Sequence, residues 1–206
     1  AQEIRDMGRR SLAFDCDVVN VDEVKAVVEQ SVSELGKIDV LVNNAALPSE
    51  AGDAPILSMT DENWFGTVDV NLHGLYHVIR AVGREMVKSG GGSIVNISST
   101  AGKSGNANMA AYNAANFGLE GFSQALAKEL ASNNIRVNCV APGPIQTARL
   151  DKLDKNSLKK LQNTIPLKRI GKDYEVADLI YFLASNKSKY ISGQSINING
   201  GVITER

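Results

Sequence analysis

Residues 98–116, SSTAGKSGNANMAAYNAAN, join the end of one predicted strand to the first turns of a predicted helix. Ser99 directly follows the apolar run SIVNIS at residues 93–98, and Tyr112 opens a helical pattern. Asn116 stands four residues after the tyrosine, so both side chains share one face of that helix. A strand, a glycine-containing loop and a helix in this order are typical of α/β proteins.

The same alternation of strands and helices continues in both directions from this stretch. Short apolar runs rich in branched residues predict strands at residues 11–18, 38–46, 93–98, 135–141 and 195–199. Helical patterns lie between them, at residues 20–36, 60–88, 109–131, 150–163 and 173–184. The apolar runs are continuous, as in parallel strands that are covered on both faces. The sequence therefore predicts one α/β domain over residues 1–206, with a mainly parallel sheet in three layers.

Composition and charge argue against several other classes of protein. The net charge of −1 gives no electrostatic footprint for nucleic acid or an anionic membrane. No apolar run reaches the roughly 18–20 residues that span a bilayer, and no signal peptide pattern opens the chain. Cys16 and Cys139 lie in apolar segments and are predicted to be reduced core residues. We therefore expect a cytoplasmic protein that binds neither nucleic acid nor membranes.

Polar or glycine-rich turns follow three of the predicted strands. Asn43 and Asn44 end the strand at residues 38–46. Ser99 follows the next strand, and Pro142-Gly143 ends the one after it. In an open α/β sheet, ligands bind outside the carboxyl ends of the strands, where such turns converge. We therefore expect one ligand site at this edge of the sheet.

These residues resemble, in order and spacing, the motifs of the short-chain dehydrogenase/reductase family. The matches cover the chain from Asp17 onward and comprise Asn43-Asn44-Ala45-Ala46, Asn71, Ser99, Tyr112, the Pro142-Gly143 loop with Thr147, and Asn199-Gly200-Gly201. Each motif alone is weak, whereas the full series is specific. The resemblance implies a Rossmann-like, doubly wound α/β fold and an NAD(P)-dependent oxidoreductase that acts on a secondary alcohol or ketone. It also implies a homo-oligomer, either a dimer or a tetramer.

For the catalytic positions, the resemblance implies a role for each matching residue. Tyr112 would be the general acid/base, Ser99 would hydrogen-bond the substrate oxygen, and Asn71 would hold a water in a proton relay. The family has a lysine at the position of Asn116. Because that lysine assists the tyrosine and also grips the nicotinamide ribose, position 116 is both catalytic and cofactor-binding.

For the cofactor, NAD or NADP, the resemblance implies contacts with Asp17, Val18, Asn43, Ala45, Ala46, Tyr112, Asn116, Pro142, Gly143, Ile145 and Thr147. The first two residues would lie along the adenine ring, and Asn43, Ala45 and Ala46 would border a ribose. Ala46 replaces a family glycine at a point where backbone and cofactor approach closely. Ile145 and Thr147 would hold the nicotinamide carboxamide.

Asparagine at position 116 removes a charge that assists the family's proton transfer. An ordinary tyrosine ionises near pH 10, which is too high for an efficient base at neutral pH. A cation within ~4–6 Å lowers the pKa of an acidic group by roughly 1–3 units. Two units correspond to about 2.7 kcal/mol, or about a hundredfold in a proton-transfer step. We therefore expect turnover by this chain to be impaired or absent.

Two other lysines are candidates for the missing cation. Lys128 lies sixteen residues after Tyr112, about 24 Å along a helix, and is out of reach. Lys103 lies in the loop after Ser99 and stays a candidate. For Asn116 itself three origins stay open, which are an introduced inactivating substitution, a natural variant or pseudoenzyme, and an uncertainty in the sequence.

The start of the chain departs from the family pattern as well. The family places a strand, a glycine-rich turn, a helix and a second strand before the segment at residues 11–18. Such a βαβ unit of ~30 residues supplies the pyrophosphate site and the choice between NAD and NADP. Residues 1–8 have only the pattern of the tail of a helix. We expect the sequence to begin inside a longer chain; otherwise the strand at residues 11–18 pairs differently or detaches.

Two alternative functions follow from the same residues. One is a catalytically silent binding or scaffold protein that keeps the fold. The other is a nucleotide-sugar-modifying enzyme of the family's extended branch, although little chain remains at the C-terminus for a substrate domain. The loops at residues 48–55 and 147–166 are expected to line the substrate pocket.

Two residue pairs have structural explanations that compete with functional ones. His73 and His77 lie one helical turn apart, but no third ligand accompanies them, and we predict no metal site. Gly118 and Gly121 predict close packing between helices, for which a subunit interface is the preferred explanation.

Overall fold

A computed structural model of the chain describes residues 1–48, 53–148 and 150–204. Within these residues one sheet has the strand order β1-β2-β3-β4, with β1 at Val40–Asn43, β2 at Gly92–Ile97, β3 at Ile135–Pro142 and β4 at Ser195–Ile198. Every neighbouring pair of strands is parallel. The parallel sheet predicted from the apolar runs is confirmed.

In the described ranges, two helices precede β1, and the other five fill the connections between the strands, as a parallel sheet requires. They are α1 (Gln2–Asp6), α2 (Val21–Leu35), α3 (Asp61–Val68), α4 (Leu75–Ser89), α5 (Ala110–Glu129), α6 (Lys155–Thr164) and α7 (Asp173–Ala184). The helix predicted at residues 60–88 begins after Thr60, its N-cap, but a π-helical turn at Asp69–Gly74 interrupts it. The segment predicted at residues 150–163 is a 3₁₀ turn, Leu150–Lys152, followed by α6. Within the described residues, no helix is both long and apolar enough to cross a bilayer.

The sheet lies between two layers of helices. On one face, α4 and α5 pack against β2 and β3 in a core that includes the fully buried Met86 and Ile94. On the other face, α7 covers Val95 and Val140 with Leu183. Because both faces of the central strands β2 and β3 are covered, these two strands are mostly apolar. This is the three-layer, Rossmann-like doubly wound fold predicted from the sequence.

The strand predicted at residues 11–18 is wrong, since this segment pairs with no strand in the described part of the chain. It lies instead against the π turn and α4. A Cβ on Gly74 would lie 2.6 Å from Val18 Cγ2, and the Val18 carbonyl lies 3.2 Å from His77 Nδ1. These contacts hold the end of the segment on the helical layer, away from the sheet.

The predictions for the two cysteines and for the two glycines of α5 are confirmed only in part. Cys139 is buried in β3, and burial raises the pKa of its thiol to about 12, whereas Cys16 is partly exposed; neither forms a disulfide. A Cβ on Gly118 would lie 3.1 Å from Leu72 Cδ2. The absence of a side chain at Gly118 therefore allows the π turn to pack closely against α5 of the same chain. No atom lies within 4 Å of a Cβ on Gly121. A subunit interface at these glycines stays a prediction.

Candidate active site

The carboxyl ends of β1 and β2 open into one small cavity at a single edge of the sheet. It has a volume of about 90 Å³ and is lined by Asn43, Asn44, Ala45, Ala46, Asn71, Leu75, Ile97, Ser98, Tyr112, Asn116 and Leu119. The predicted site residues that meet here are Asn43, Ala45, Ala46, Asn71, Tyr112 and Asn116. Because open α/β sheets bind ligands at the carboxyl ends of their strands, this cavity is the candidate active site.

A larger cavity, of about 920 Å³, opens at the opposite edge of the sheet. Its wall includes Val40, Gly92 and Ile135, the first residues of β1, β2 and β3. Arg136 in the same wall already donates a hydrogen bond to the Leu183 carbonyl at 2.8 Å. This cavity contains none of the predicted site residues and lies at the amino ends of the strands. We therefore assign the chemistry to the smaller cavity.

Asn71 is carried into the cavity wall by the π turn between α3 and α4, where it is 5% exposed. Its Oδ1 accepts a hydrogen bond from the Leu47 N–H at 2.7 Å, and its Nδ2 donates to the Leu47 carbonyl at 3.0 Å. The amide thus ties the loop after β1 to the helices. π-helical turns inside α-helices occur frequently at functional sites.

Asn43, at the end of β1, links the cavity to the buried sheet. Its Nδ2 donates to Asn96 Oδ1 on β2 at 2.8 Å, and Asn96 Nδ2 donates to Ser123 Oγ on α5 at 2.8 Å. Asn96 and Ser123 are buried, and a buried polar group left without a partner is costly. The chain of hydrogen bonds therefore fixes β1, β2 and α5 relative to one another at this edge.

Ser99 and Tyr112 are placed by the turn after β2 and by the first turn of α5. Ser99 is the N-cap of a 3₁₀ turn at Thr100–Gly102, and its Oγ accepts a hydrogen bond from the Ala101 N–H at 3.1 Å. That bond leaves the hydroxyl proton of Ser99 to be donated to another oxygen. Tyr112 is half-buried in the cavity wall, whereas Ser99 follows the lining residue Ser98.

Asn116 is 4% exposed, and its side chain turns back on its own helix. Its Nδ2 donates to the Tyr112 carbonyl at 2.9 Å, and the amide brings no charge to the cavity. Lys103, the other candidate cation, forms an ion pair with Glu120, with Nζ 2.8 Å from Oε2 and both side chains 9% exposed. A buried carboxylate therefore balances the charge of Lys103.

The sequence motifs do not include Asn113 or Glu120, yet both are buried polar residues of α5. Together with Asn116 they recur at a spacing of three and four residues, which places them on one helix face. A helix buries this face against the protein, so apolar residues are the usual choice there. Three polar residues at core spacing are the signal by which the sequence could have revealed them.

Gly102 lets the loop after Ser99 approach this face of α5. A Cβ at position 102 would lie 2.7 Å from Ser98 Oγ, 2.9 Å from Glu120 Oε1 and 3.1 Å from the Asn116 carbonyl oxygen. We expect Gly102→Ala to lower the free energy of unfolding by about 1–3 kcal/mol, because overpacking forces neighbouring groups to shift. Thermal melting followed by circular dichroism measures this as a fall of roughly 2–12 °C.

Gly105→Ala is the matched control for this substitution. It lies in the same loop, and no atom comes within 4 Å of a Cβ built there. We expect its melting temperature to stay close to that of the unmodified protein. If the two alanine variants melt together, the close approach at Gly102 does not constrain the loop.

A short parallel bridge holds the loop after β3. Ile145 pairs with Gly171, whose N–H donates to the Pro144 carbonyl at 3.0 Å. Gly143 lies so close to Asn199 that a Cβ would come within 2.7 Å of the Asn199 Cβ, so this position requires glycine. The loop after β3 is thereby fixed against the end of β4.

The other predicted cofactor residues are not part of the cavity wall; these are Asp17, Val18, Pro142, Gly143, Ile145 and Thr147. The backbone N–H of Asp17 donates to Glu23 Oε2 at 2.7 Å, at the start of α2. Thr147 is exposed after the bridge described above. In the loops expected to line the substrate pocket, residues 49–52 and 149 lie outside the described residues.

Arg169 and Glu175 form an exposed, bidentate ion pair next to the Gly171 bridge. Arg169 Nη1 and Nη2 each lie 2.7 Å from a carboxylate oxygen of Glu175, which also accepts from the Lys172 N–H. The hydrogen bonds from Arg169, followed by that from Lys172, lower the pKa of Glu175 from 4.5 to about 2. A carboxylate with a lowered pKa stabilises the fold fully above its unfolded pKa and loses this effect as the pH falls through the folded value.

We expect Glu175→Gln to lower the melting temperature near neutral pH, with the difference shrinking as the pH falls from about 4.5 toward 2. The effect is small because the pair is exposed, and salt reduces it further. Melting curves of both proteins across this pH range measure the difference. Glu129→Gln, at another exposed position, is the control. A difference that stays constant down to the lowest pH would show that the Glu175 charge contributes nothing.

His73 and His77 make contacts that differ from metal ligation. His73 Nδ1 lies 2.8 Å from Asp69 Oδ1, and His77 Nδ1 faces the Val18 carbonyl. Within residues 1–48, 53–148 and 150–204, no group of three or more His, Cys, Asp or Glu side chains is arranged to hold a metal ion.

Sequence comparison relates the chain to known enzymes. The chain matches the family described as enoyl-(acyl carrier protein) reductase over residues 1–203. It is 39% identical over 201 residues to the 3-oxoacyl-[acyl-carrier-protein] reductase FabG of Staphylococcus aureus, across 98% of this chain and 80% of that protein. The chain belongs to the short-chain dehydrogenase/reductase family. Another relative in this family, FabG of Thermotoga maritima, is 44% identical over 187 residues, which are 91% of this chain and 75% of that protein.

Structural comparison leads to the same short-chain dehydrogenase/reductase family. The gluconate 5-dehydrogenase of Burkholderia cenocepacia, solved in complex with NADP and tartrate, superposes with a TM-score of 0.90 at 29% identity. The match covers 98% of this chain and 79% of the dehydrogenase. Reductases and a dehydrogenase therefore share both sequence and fold with this chain, which is an oxidoreductase of the short-chain family.

Proposed function

We propose that this chain transfers hydride between a nicotinamide cofactor and a secondary alcohol or ketone. The observation that carries the proposal is the cavity at the carboxyl edge of the sheet, where Tyr112, Asn71 and the turn after β1 meet. The reductase and dehydrogenase names of the relatives support it. Ser98, in the same wall, brings Ser99 next to this cavity.

The side chains of this site suit proton transfer to a carbonyl oxygen. When hydride reaches a ketone carbon, the oxygen gains negative charge and must take up a proton. Tyr112 would donate that proton and accept it again in the reverse direction. Ser99, whose Oγ already accepts from the Ala101 N–H, would donate its own proton in a hydrogen bond to the same oxygen. The Asn71 amide has a second lone pair and a second N–H with which to hold a relay water.

The residues at this edge also fit a nicotinamide dinucleotide, NAD or NADP. Asn43, Ala45 and Ala46 lie in the cavity wall, and Gly143 follows the carboxyl end of β3, where it packs against Asn199. We propose that these residues bind the cofactor together with Asp17, Val18, Tyr112, Asn116, Pro142, Ile145 and Thr147. When bound, the cofactor supplies or accepts the hydride. The complex of gluconate 5-dehydrogenase with NADP supports this assignment.

Absorbance of the reduced nicotinamide tests the proposal directly. Purified protein would be mixed with NADH or NADPH and a panel of ketones that includes a 3-oxoacyl thioester and a keto sugar acid. The reverse reaction would be followed with NAD or NADP and secondary alcohols. We expect slow, ketone-dependent oxidation, because the site has Ser99 and Tyr112 but no cation at position 116. If no ketone accelerates oxidation of either cofactor, the enzymatic proposal for the unmodified chain is wrong.

A catalytically silent binding protein is the second candidate, and the hydrogen bonding of the Asn116 side chain favours it. Its amide is committed to the Tyr112 carbonyl at 2.9 Å and carries no charge. The fold could therefore hold a dinucleotide without turning over a substrate. Calorimetry with NADPH measures such binding. Binding without any ketone-dependent oxidation, both in this chain and in Asn116→Lys, would favour the silent protein.

We also propose that the protein is a homo-oligomer and that it acts in the cytoplasm. Phe65 on α3 and Phe117 on α5 are 55% and 48% exposed, and burial of both rings at a contact between subunits would support the proposal. Light scattering during size-exclusion chromatography measures the mass. A monomer at micromolar concentration would contradict the oligomer.

A further inference from the structure

Asn113 makes the first of two buried attachments between the loop after Ser99 and α5. Its Nδ2 donates to the carbonyl oxygens of Ala101 at 2.6 Å and Ser104 at 2.7 Å. Its Oδ1 accepts from the Asn106 N–H at 3.2 Å. One buried amide therefore binds the loop backbone at three points, using both N–H groups and the oxygen.

Glu120 makes the second attachment, two helical turns further along the same face of α5. Its Oε1 accepts from Ser98 Oγ at 2.8 Å, and its Oε2 lies 2.8 Å from Lys103 Nζ. A buried carboxylate is costly unless both of its oxygens have partners, and Glu120 finds them on the two sides of Ser99. One partner precedes Ser99 in the chain and the other follows it.

We propose that Asn113 and Glu120 are positioning residues that set the distance between Ser99 Oγ and the Tyr112 hydroxyl. The proposal rests on the proposed function, which assigns the chemistry to Ser99 and Tyr112. The loop carries the serine and α5 carries the tyrosine, so any slip between loop and helix separates the two hydroxyl groups. A displacement of about 1 Å in an active site can reduce the rate about a hundredfold. Neither positioning residue belongs to the cavity wall, so each acts through the loop.

Gly102 shows how tightly the two parts fit. It packs between Ser98 Oγ, Glu120 Oε1 and the Asn116 carbonyl, with room for no further atom. The attachments lie on either side of Asn116 along α5, and neither uses its side chain. The geometry of Ser99 and Tyr112 is thus maintained independently of the residue at position 116.

Asn113→Asp tests the first attachment with almost no change in volume, since it keeps an acceptor and removes both donors. Gln124→Glu is the matched control, because it makes the same chemical change at an exposed position of α5. We expect kcat of Asn113→Asp to fall at least about tenfold while KM for the cofactor changes less than about twofold. Gln124→Glu should retain both values. An unchanged kcat, or a KM that rises in step with the loss of kcat, would overturn the positioning role of Asn113.

The double variant Lys103→Met with Glu120→Gln tests the second attachment without leaving a buried charge unpaired. We expect the same split, with a lower kcat and a nearly constant KM for the cofactor. If this variant keeps the kcat of the unmodified protein, Glu120 has no positioning role.

Hydrogen–deuterium exchange of the loop at residues 99–108 provides a measurement that needs no substrate. We expect faster exchange in Asn113→Asp than in Gln124→Glu or the unmodified protein, with no change in β2 or β3. Equal exchange in all three proteins would overturn the attachment itself. If the unmodified protein shows no turnover, the proposed function fails, whereas the exchange experiment still decides on the attachment. The kcat comparison is then made with Asn116→Lys added to every protein.

Discussion

Tyr112→Phe is expected to reduce ketone turnover by about 10²- to 10⁴-fold, the range that general acid/base catalysis contributes. The substitution removes only the hydroxyl, so the half-buried ring keeps its place in the first turn of α5. Without that hydroxyl, the oxygen of the substrate has to take its proton from water. Initial rates of cofactor oxidation at saturating ketone measure the loss, and KM for the cofactor should change little.

Tyr190→Phe is the control for this experiment, since it removes the same hydroxyl from a fully exposed side chain. Its turnover should equal that of the unmodified protein. Because a low starting activity hides a large loss, both substitutions should also be made together with Asn116→Lys. Turnover that survives in Tyr112→Phe would assign the proton transfer to a different group.

Asn116→Lys is expected to raise kcat about a hundredfold. A lysine at this position would stabilise the ionised form of Tyr112 by roughly 2.7 kcal/mol, which corresponds to that factor in rate. Asn116 lines the cavity of about 90 Å³, into which a longer side chain can extend once the hydrogen bond to the Tyr112 carbonyl is given up. The charge of Lys103 should not strongly repel the new lysine, because the Lys103 ammonium lies 2.8 Å from the Glu120 carboxylate.

The matched control is Asn116→Met, which has nearly the length of lysine without its charge. If charge is the missing element, methionine gives no gain in kcat. Equal rates for the lysine and methionine variants would show that side-chain length, rather than charge, limits the reaction. Rates no higher than those of the unmodified protein in both variants would remove the basis for treating Asn116 as the cause of low activity.

The sheet and most helix positions could be predicted because each depends on a local pattern. The runs at residues 93–98 and 135–141 are mostly apolar, as is typical of a central strand that is covered on both faces, and they form β2 and β3. The run at residues 38–46 is also a strand, but only Val40–Asn43 pairs with β2. The polar turn after it leads away from the sheet, held at Leu47 by Asn71.

Features that depend on distant partners were beyond the reach of the sequence. Residues 11–18 have the composition of a strand, but whether they pair depends on which backbone lies beside them, and Val18 packs on Gly74 instead. The cavity could be anticipated from Tyr112 and the strand ends. The ion pair between Lys103 and Glu120 could not, since it joins a loop to a helical residue one turn beyond Asn116. Its existence depends on the path of the loop through Gly102.

The π turn at Asp69–Gly74 makes this part of the chain sensitive to length rather than to composition. Its hydrogen bonds close one residue further along the chain than those of an α-helix, so the turn holds one residue more than an α turn does. Deleting one residue here would let the turn close as regular α-helix, and Asn71 would then lose the Leu47 backbone; inserting one would turn α4 out of register and move Met86 and its neighbours out of the core. Substitutions on the outer side of this turn should therefore be tolerated, while a single-residue insertion or deletion should not.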